Sequence, residues 1–109
     1  MTDARVVLTT SGNREQADKI ANALVENALA ACVNIVGPIT SVYRWEGKVE
    51  RAEEFLLVVK TWEDAYERVE AAIRELHSYE LPECIMLRVA KGSEQYLEWL
   101  ENSVRSEDE

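Results

Sequence analysis

The spacing of apolar residues changes repeatedly along this chain, and each change of period predicts an element. Val6-Val7-Leu8 are consecutive apolar positions within Arg5–Thr10, which predicts a strand covered on both faces. Asn13 and Gln16 then stand three apart, as a capping box requires, and Ala17, Ile20, Ala21, Leu24 and Ala28 follow at helical spacing. This helix is predicted to end near Asn27. From Ala31 to Thr61 the residues become β-rich, with Glu46-Gly47 between two arms. Gly in second place suits a two-residue primed turn, so the whole stretch reads as one long hairpin. Gly37-Pro38 interrupts the outgoing arm, Ala31–Trp45. Proline has no N–H to donate, so this arm is expected to be an edge strand or to carry a bulge. Ala31, Val33, Ile35, Ile39, Tyr43 and Trp45 share one phase across the interruption. The returning arm ends in five apolar residues, Phe55–Val59, a second central strand.

Trp62, Ala65, Tyr66, Val69, Ala72, Ile73 and Leu76 give the cleanest helical pattern, with Thr61 as its expected cap and Glu70–Arg74 as an i,i+4 pair. His77–Glu83 is read as a loop, because Pro82 blocks continuation of the helix. Cys84–Val89 is the fourth strand. Gly92-Ser93 opens a last helix with an apolar face of Tyr96, Leu97, Trp99, Leu100 and Val104, followed by a charged tail expected to fray. The order βαββαβ plus a terminal helix predicts an α+β, ferredoxin-like fold with strand order 4-1-3-2, a long protruding β-hairpin and a short C-terminal helix. One domain is expected over residues 1–109, with an ordered core of about 5–104.

Two consequences concern assembly. The outgoing arm of fifteen residues spans roughly 50 Å if straight. A compact chain of this length has a diameter of roughly 34 Å. The hairpin must therefore bend sharply or lie on another copy of the chain. Both main helices also fall on one face of the sheet, although its central strands are apolar on both sides. A second subunit is expected to cover the other face.

Composition adds limits. The chain is 47% hydrophobic and 30% charged, with a net charge of −9. An acidic surface argues against nucleic acid or an anionic membrane as a partner. No apolar run approaches a membrane span and no signal-like core follows Met1, which leads to a cytoplasmic expectation. Cys32 and Cys84 do not resemble a disulfide framework and are read as buried reduced thiols. On strands at opposite edges they stand roughly 14 Å apart and cannot share an ion.

Candidate chemistry is sparse. No nucleophile elbow, phosphate-binding glycine signature or metalloprotease helix is present. Gly12 between strand and helix reads as an ordinary connecting loop. The only histidine, His77, adjoins a loop holding Tyr79, Glu80 and Glu83, and imidazole suits borderline metals. Glu46, Glu50, Glu53 and Glu54 are read as a solvated acidic face. Tyr43 and Trp45, aromatic residues near an overhanging tip, are expected to anchor an interface.

Four segments carry a resemblance: Ala30-Ala31-Cys32-Val33-Asn34, Ser41-Val42-Tyr43-Arg44-Trp45-Glu46-Gly47-Lys48, His77-Ser78-Tyr79-Glu80-Leu81-Pro82-Glu83, and Tyr96-Leu97-Glu98-Trp99-Leu100. They are similar to the CutA family of divalent-cation tolerance proteins, over about Arg5 to Val104. The resemblance implies a non-enzymatic cytoplasmic homotrimer whose hairpins exchange strands, with Tyr43, Arg44, Trp45, Glu46 and Lys48 at the interface. It also implies tolerance to copper and other divalent metals, with no required cofactor and Cu2+ or another divalent cation as ligand. Copper ligands in a bacterial member, one Cys and two adjacent His, correspond here to Thr9, Leu76 and His77, so His77 alone is retained as a metal candidate. The family trimer looks like that of the PII signalling proteins. That gives a second expectation, a regulatory trimer with inter-subunit clefts for a small metabolite or partner, lined by Thr10, Ser11, Tyr79, Pro82 and Glu83.

Overall fold

The computed structural model describes residues 2–106. In chain order the elements are β1 (Ala4–Ser11), α1 (Arg14–Glu26), β2 (Cys32–Trp45), β3 (Lys48–Trp62), α2 (Tyr66–Leu76), β4 (Ile85–Arg88) and α3 (Glu94–Ser103). The four strands form one antiparallel sheet in the order β2-β3-β1-β4, as the sequence predicts.

Alternation along β1 and β3 divides the sheet into two unlike faces. Val7, Leu57 and Val59 are fully buried beneath Ile20 and Leu24 of α1 and Val69 and Ile73 of α2. On the opposite face Val6 and Leu8 of β1 stand level with Leu87 and Ile85 of β4. Leu8 also pairs with Val58 of β3. On this second face Val36, Ile85 and Leu87 remain about half exposed, whereas Ala4, of the same parity as Val6 and Leu8, is fully buried.

The hairpin is as long as expected, and its turn is the expected one. Glu46 and Gly47 both have positive φ, 50° and 79°, the pattern of a type I′ turn. It also bends. At Gly37-Pro38 the β2–β3 register shifts by one residue: Val36 pairs with Leu56, but Ile39 pairs with Glu54. Gly37 sits at φ 155° with room for no side chain, since a Cβ would lie 2.8 Å from Phe55. The chain extends 43 Å along its longest axis, less than a straight arm of roughly 50 Å.

That bulge overturns one expectation. Val33 and Ile35 pair with Val59 and Leu57 on the helix-covered face, whereas Tyr43 and Trp45 pair with Glu50 and Lys48, of opposite parity in β3. The extra residue reverses the phase, so the outer aromatics face away from the helical side.

Other boundaries move for local reasons. Gln16 N–H donates to Asn13 Oδ1 at 2.8 Å, giving half of the predicted capping box. The Gln16 side chain turns to Ser11 Oγ, 3.2 Å away, instead of back to Asn13. Ala28 lies past the end of α1 at φ 55°. Thr61 does not cap a helix: β3 continues through Trp62, a 3₁₀ turn follows, and Thr61 Oγ1 donates to buried Leu29 O at 2.7 Å. β4 is shorter than predicted at both ends. Of the apolar face predicted for α3, Leu100 and Val104 are buried but Tyr96 and Trp99 are exposed, their rings 5.4 Å apart. The start of the tail is held: Arg105 N–H donates to Ala28 O at 2.8 Å, and its carbonyl accepts from Arg68 at 3.0 Å. The rest of the expected fraying concerns residues 107–109, outside the described residues. Both cysteines are free, and they are half-buried instead of buried.

Thr61→Val keeps the shape of the side chain but leaves the Leu29 carbonyl without its donor. Urea denaturation should show a loss of ~1–3 kcal/mol; an unchanged midpoint would mean the bond contributes nothing.

Candidate functional site

β1 stops where Ser11 pairs with Phe55, while the two hairpin arms continue outward together. The chain between α2 and β4 fills the step left by β1. Its first residue, His77, is 9% exposed and fixed at both ring nitrogens. Nε2 hydrogen-bonds the Thr10 carbonyl at 2.5 Å, and Nδ1 accepts from the Tyr79 N–H at 3.0 Å. A carbonyl can only accept, so Nε2 is the donor of this bond and Nδ1 the acceptor of the other.

Tyr79 then reaches across to the hairpin. Its hydroxyl donates to Glu54 Oε2 at 2.8 Å, and its ring lies 4.6 Å from that of His77. The hydroxyl passes close to Gly12, where a Cβ would come within 2.9 Å of it. Desolvation, with the hydrogen bond to Glu54 second, pushes the Tyr79 phenol up to about 12. The hydroxyl therefore stays protonated and remains a donor.

The loop and the ribbon enclose a cleft of about 590 Å³, within the range usual for small-molecule sites. Tyr43, Trp45, Tyr79 and Leu81 supply apolar walls, and Glu54, Glu80 and Glu83 supply the charge. Glu54 is 7% exposed, which corrects its reading as part of a solvated face; Glu46, Glu50 and Glu53 are exposed as expected. Partial burial, and then the Glu54 carboxylate, hold the Glu83 carboxyl above the ordinary range, although the residue as a whole is exposed. Among the described residues the four ion pairs all lie elsewhere.

Of the expected cleft residues, Thr10, Tyr79 and Glu83 line this space. Pro82 and Ser11 do not; Ser11 is fully buried, its hydroxyl donating to Asn13 O at 3.0 Å. Tyr43 and Trp45 also line it, while Arg44, Glu46 and Lys48 lie exposed along the ribbon. Ser41, Glu54, Glu80 and Leu81 are additions. Glu54 shares the parity of Leu56 and Val58, but only the pairing of Thr10 with Leu56 brings it beside the loop.

Thr9, Leu76 and His77, the positions that the resemblance pairs with copper ligands, do not offer a donor set suited to that ion. Thr9 offers a buried hydroxyl, Leu76 a hydrocarbon, and His77 an imidazole with both nitrogens already bonded. No group of three or more His, Cys, Asp or Glu side chains converges for a metal among the described residues. Cys84 is engaged differently, with its sulfur 3.8 Å from the Tyr66 hydroxyl and its thiol raised by burial.

A family model described as CutA1 divalent ion tolerance protein matches residues 5–103. A divalent-cation tolerance protein of Thermus thermophilus is 48% identical over 95 residues, covering 87% of this chain and 92% of that protein. A chloroplastic CutA of Arabidopsis thaliana is 48% identical over 101 residues, 93% of this chain but only 56% of the relative's length. A solved structure of a divalent cation tolerance protein, also from Thermus thermophilus, superposes with a TM-score of 0.92 at 45% identity, over 94% of this chain and 99% of that one.

Glu83→Gln tests the electrostatics of the cleft. A carboxyl whose folded pKa is raised contributes its stability at acid pH and loses it as pH rises through that value. The variant should melt higher than the parent at pH 7, and the two curves should converge below the ordinary carboxylate range. A difference independent of pH would mean that charge is not its cause.

Proposed function

The chain belongs to the CutA1 divalent ion tolerance family, and on that premise we propose that it acts without catalysis, as a homotrimer that associates with divalent cations. The single observation that supports the assembly is the second face of the sheet. It carries Val6, Leu8, Val58, Ile85 and Leu87, and Ile85 and Leu87 remain about half exposed. Apolar surface of this extent on one side of a sheet is what an interface between subunits uses. The outer ribbon adds to the argument, because a two-stranded hairpin is marginal alone in water. Its half-exposed Tyr43 and Trp45 are of the type that anchors interfaces.

Copper or another divalent cation is a ligand of low affinity in this reading. Carboxylates, plentiful in a chain of net charge −9, serve it instead of His77. His77 acts as the latch that shapes the loop. No helix of the described residues is long and apolar enough to cross a membrane. A cytoplasmic location remains part of the proposal, and the Arabidopsis relative is described as chloroplastic. The second reading, a regulatory trimer that binds a small molecule, draws its support from the cleft beside the hairpin.

Leu87 is 46% exposed in the single chain, so Leu87→Glu should fold but fail to assemble. Sedimentation at low concentration should show a trimer for the parent and a smaller species for the variant. An undiminished trimer would remove the open face from the interface.

Calorimetric titration with Cu(II) should give weak binding that is the same for the parent and His77→Ala. A clear loss in the variant would restore His77 as a ligand.

A further inference from the structure

We propose that the recess between the start of β1 and the end of β4 binds a small oxyanion, a phosphate or carboxylate group held between the guanidinium groups of Arg5 and Arg88.

The sheet register creates this site. Arg5 and Arg88 are direct partners in the β1–β4 ladder, so their side chains leave the same face side by side. They share the parity of Val7 and Met86 and stand on the helix-covered face, opposite the side that carries Val6, Leu8 and Leu87. The proposed subunit contact uses that other side. Like charges placed directly across a ladder are destabilising, and an anion between them removes the repulsion.

Arg5 is 5% exposed, and its donors are unequally served. Nη1 donates to Ala4 O at 2.9 Å and to Thr2 O at 3.2 Å, and Nη2 lies 3.3 Å from the Glu63 carboxylate. Nε is buried and has no hydrogen-bond partner among the described residues. A buried donor left unpaired is costly, more so on a charged group. Nε and Nη2 form one edge of the guanidinium, the edge that grips an oxyanion with two parallel N–H groups. A small turn of the guanidinium presents this edge to the recess, and Glu63, whose side chain is 54% exposed, can yield its place to water. Arg88 is exposed and forms no ion pair among the described residues.

The recess measures about 270 Å³ and is lined by Arg5, Arg88, Thr2, Asp3, Val89 and Ala90. That is below the usual range for drug-sized ligands and suits a small anion. The Thr2 hydroxyl accepts from the Ala4 N–H at 3.1 Å, so its own proton is left to donate. Asp3 is the opposing feature. Its carboxylate forms no ion pair with either arginine, and as a negative charge on the same lining it weakens anion binding.

Sodium phosphate and sodium acetate are the probes, against sodium chloride at matched ionic strength. Titration of the intact protein is followed by calorimetry and by the Arg5 Nε–H resonance. At least one oxyanion should bind saturably and shift that resonance where chloride does not. Saturation by phosphate alone identifies a phosphoryl ligand, and by acetate alone a carboxylate. Arg88 is exposed, so Arg88→Gln should fold as the parent does and weaken binding about tenfold. Asp3→Asn should tighten it by removing a like charge. No saturation with either oxyanion, an equal response to chloride, or unchanged affinity in Arg88→Gln would overturn the proposal. Sedimentation of the same samples should be identical for parent and variant. A change of assembly in Arg88→Gln would place the arginine in a subunit contact and overturn the site as well.

Discussion

β1 ends at Ser11, opposite Phe55, while β3 begins at Lys48 and β2 runs to Trp45. The outer part of the hairpin therefore has neither a third strand nor a helix behind it. That difference in strand length produces the projecting ribbon, and it also leaves the step that His77–Glu83 occupies. Tyr79 ties the two sides together by donating to Glu54, beside Gly12, where a Cβ would crowd its hydroxyl. The cleft is a by-product of this geometry, with walls drawn from the ribbon and the loop alike.

Features encoded within a few neighbouring residues were legible in the sequence. Asn13 accepts from Gln16 as its spacing predicts, Glu46-Gly47 makes the turn, and the strand order follows from which segments are apolar on both sides. Features that depend on pairing between distant strands were not. Thr61 has the composition of a helix cap, but the Leu29 carbonyl on a different segment claims its hydroxyl. The phase of Tyr43 and Trp45 depends on how many residues the bulge at Gly37-Pro38 absorbs, and only the partner strand fixes that number. Glu54 looked like one more surface acid in a run of them. Its burial comes from a loop some twenty-five residues further on. Tyr96 and Trp99 show the reverse error: helical spacing placed them inside, and the packing of Leu100 and Val104 leaves them outside.

The metal question turns on valence at one ring. An imidazole can be a ligand only through a nitrogen with a free lone pair. In His77 one nitrogen carries the proton given to Thr10, and the other accepts from Tyr79. With Thr9 and Leu76 beside it, the local chemistry is that of a structural clasp. Membership of the tolerance family is compatible with this clasp when cation contact is diffuse and carboxylate-based, as in the proposed reading.

The strand order also sets the sequence of events during synthesis. β2 and β3 are neighbours along the chain and can zip from the Glu46-Gly47 turn by local contacts. β1 leaves the ribosome before either, yet both its partners come much later, with Ala4 waiting for Trp62 and Arg5 for Arg88. Such non-local pairing slows folding and leaves apolar strand edges uncovered meanwhile. The central strand of the finished sheet is thus completed only when β4, the last strand in the chain, is in place.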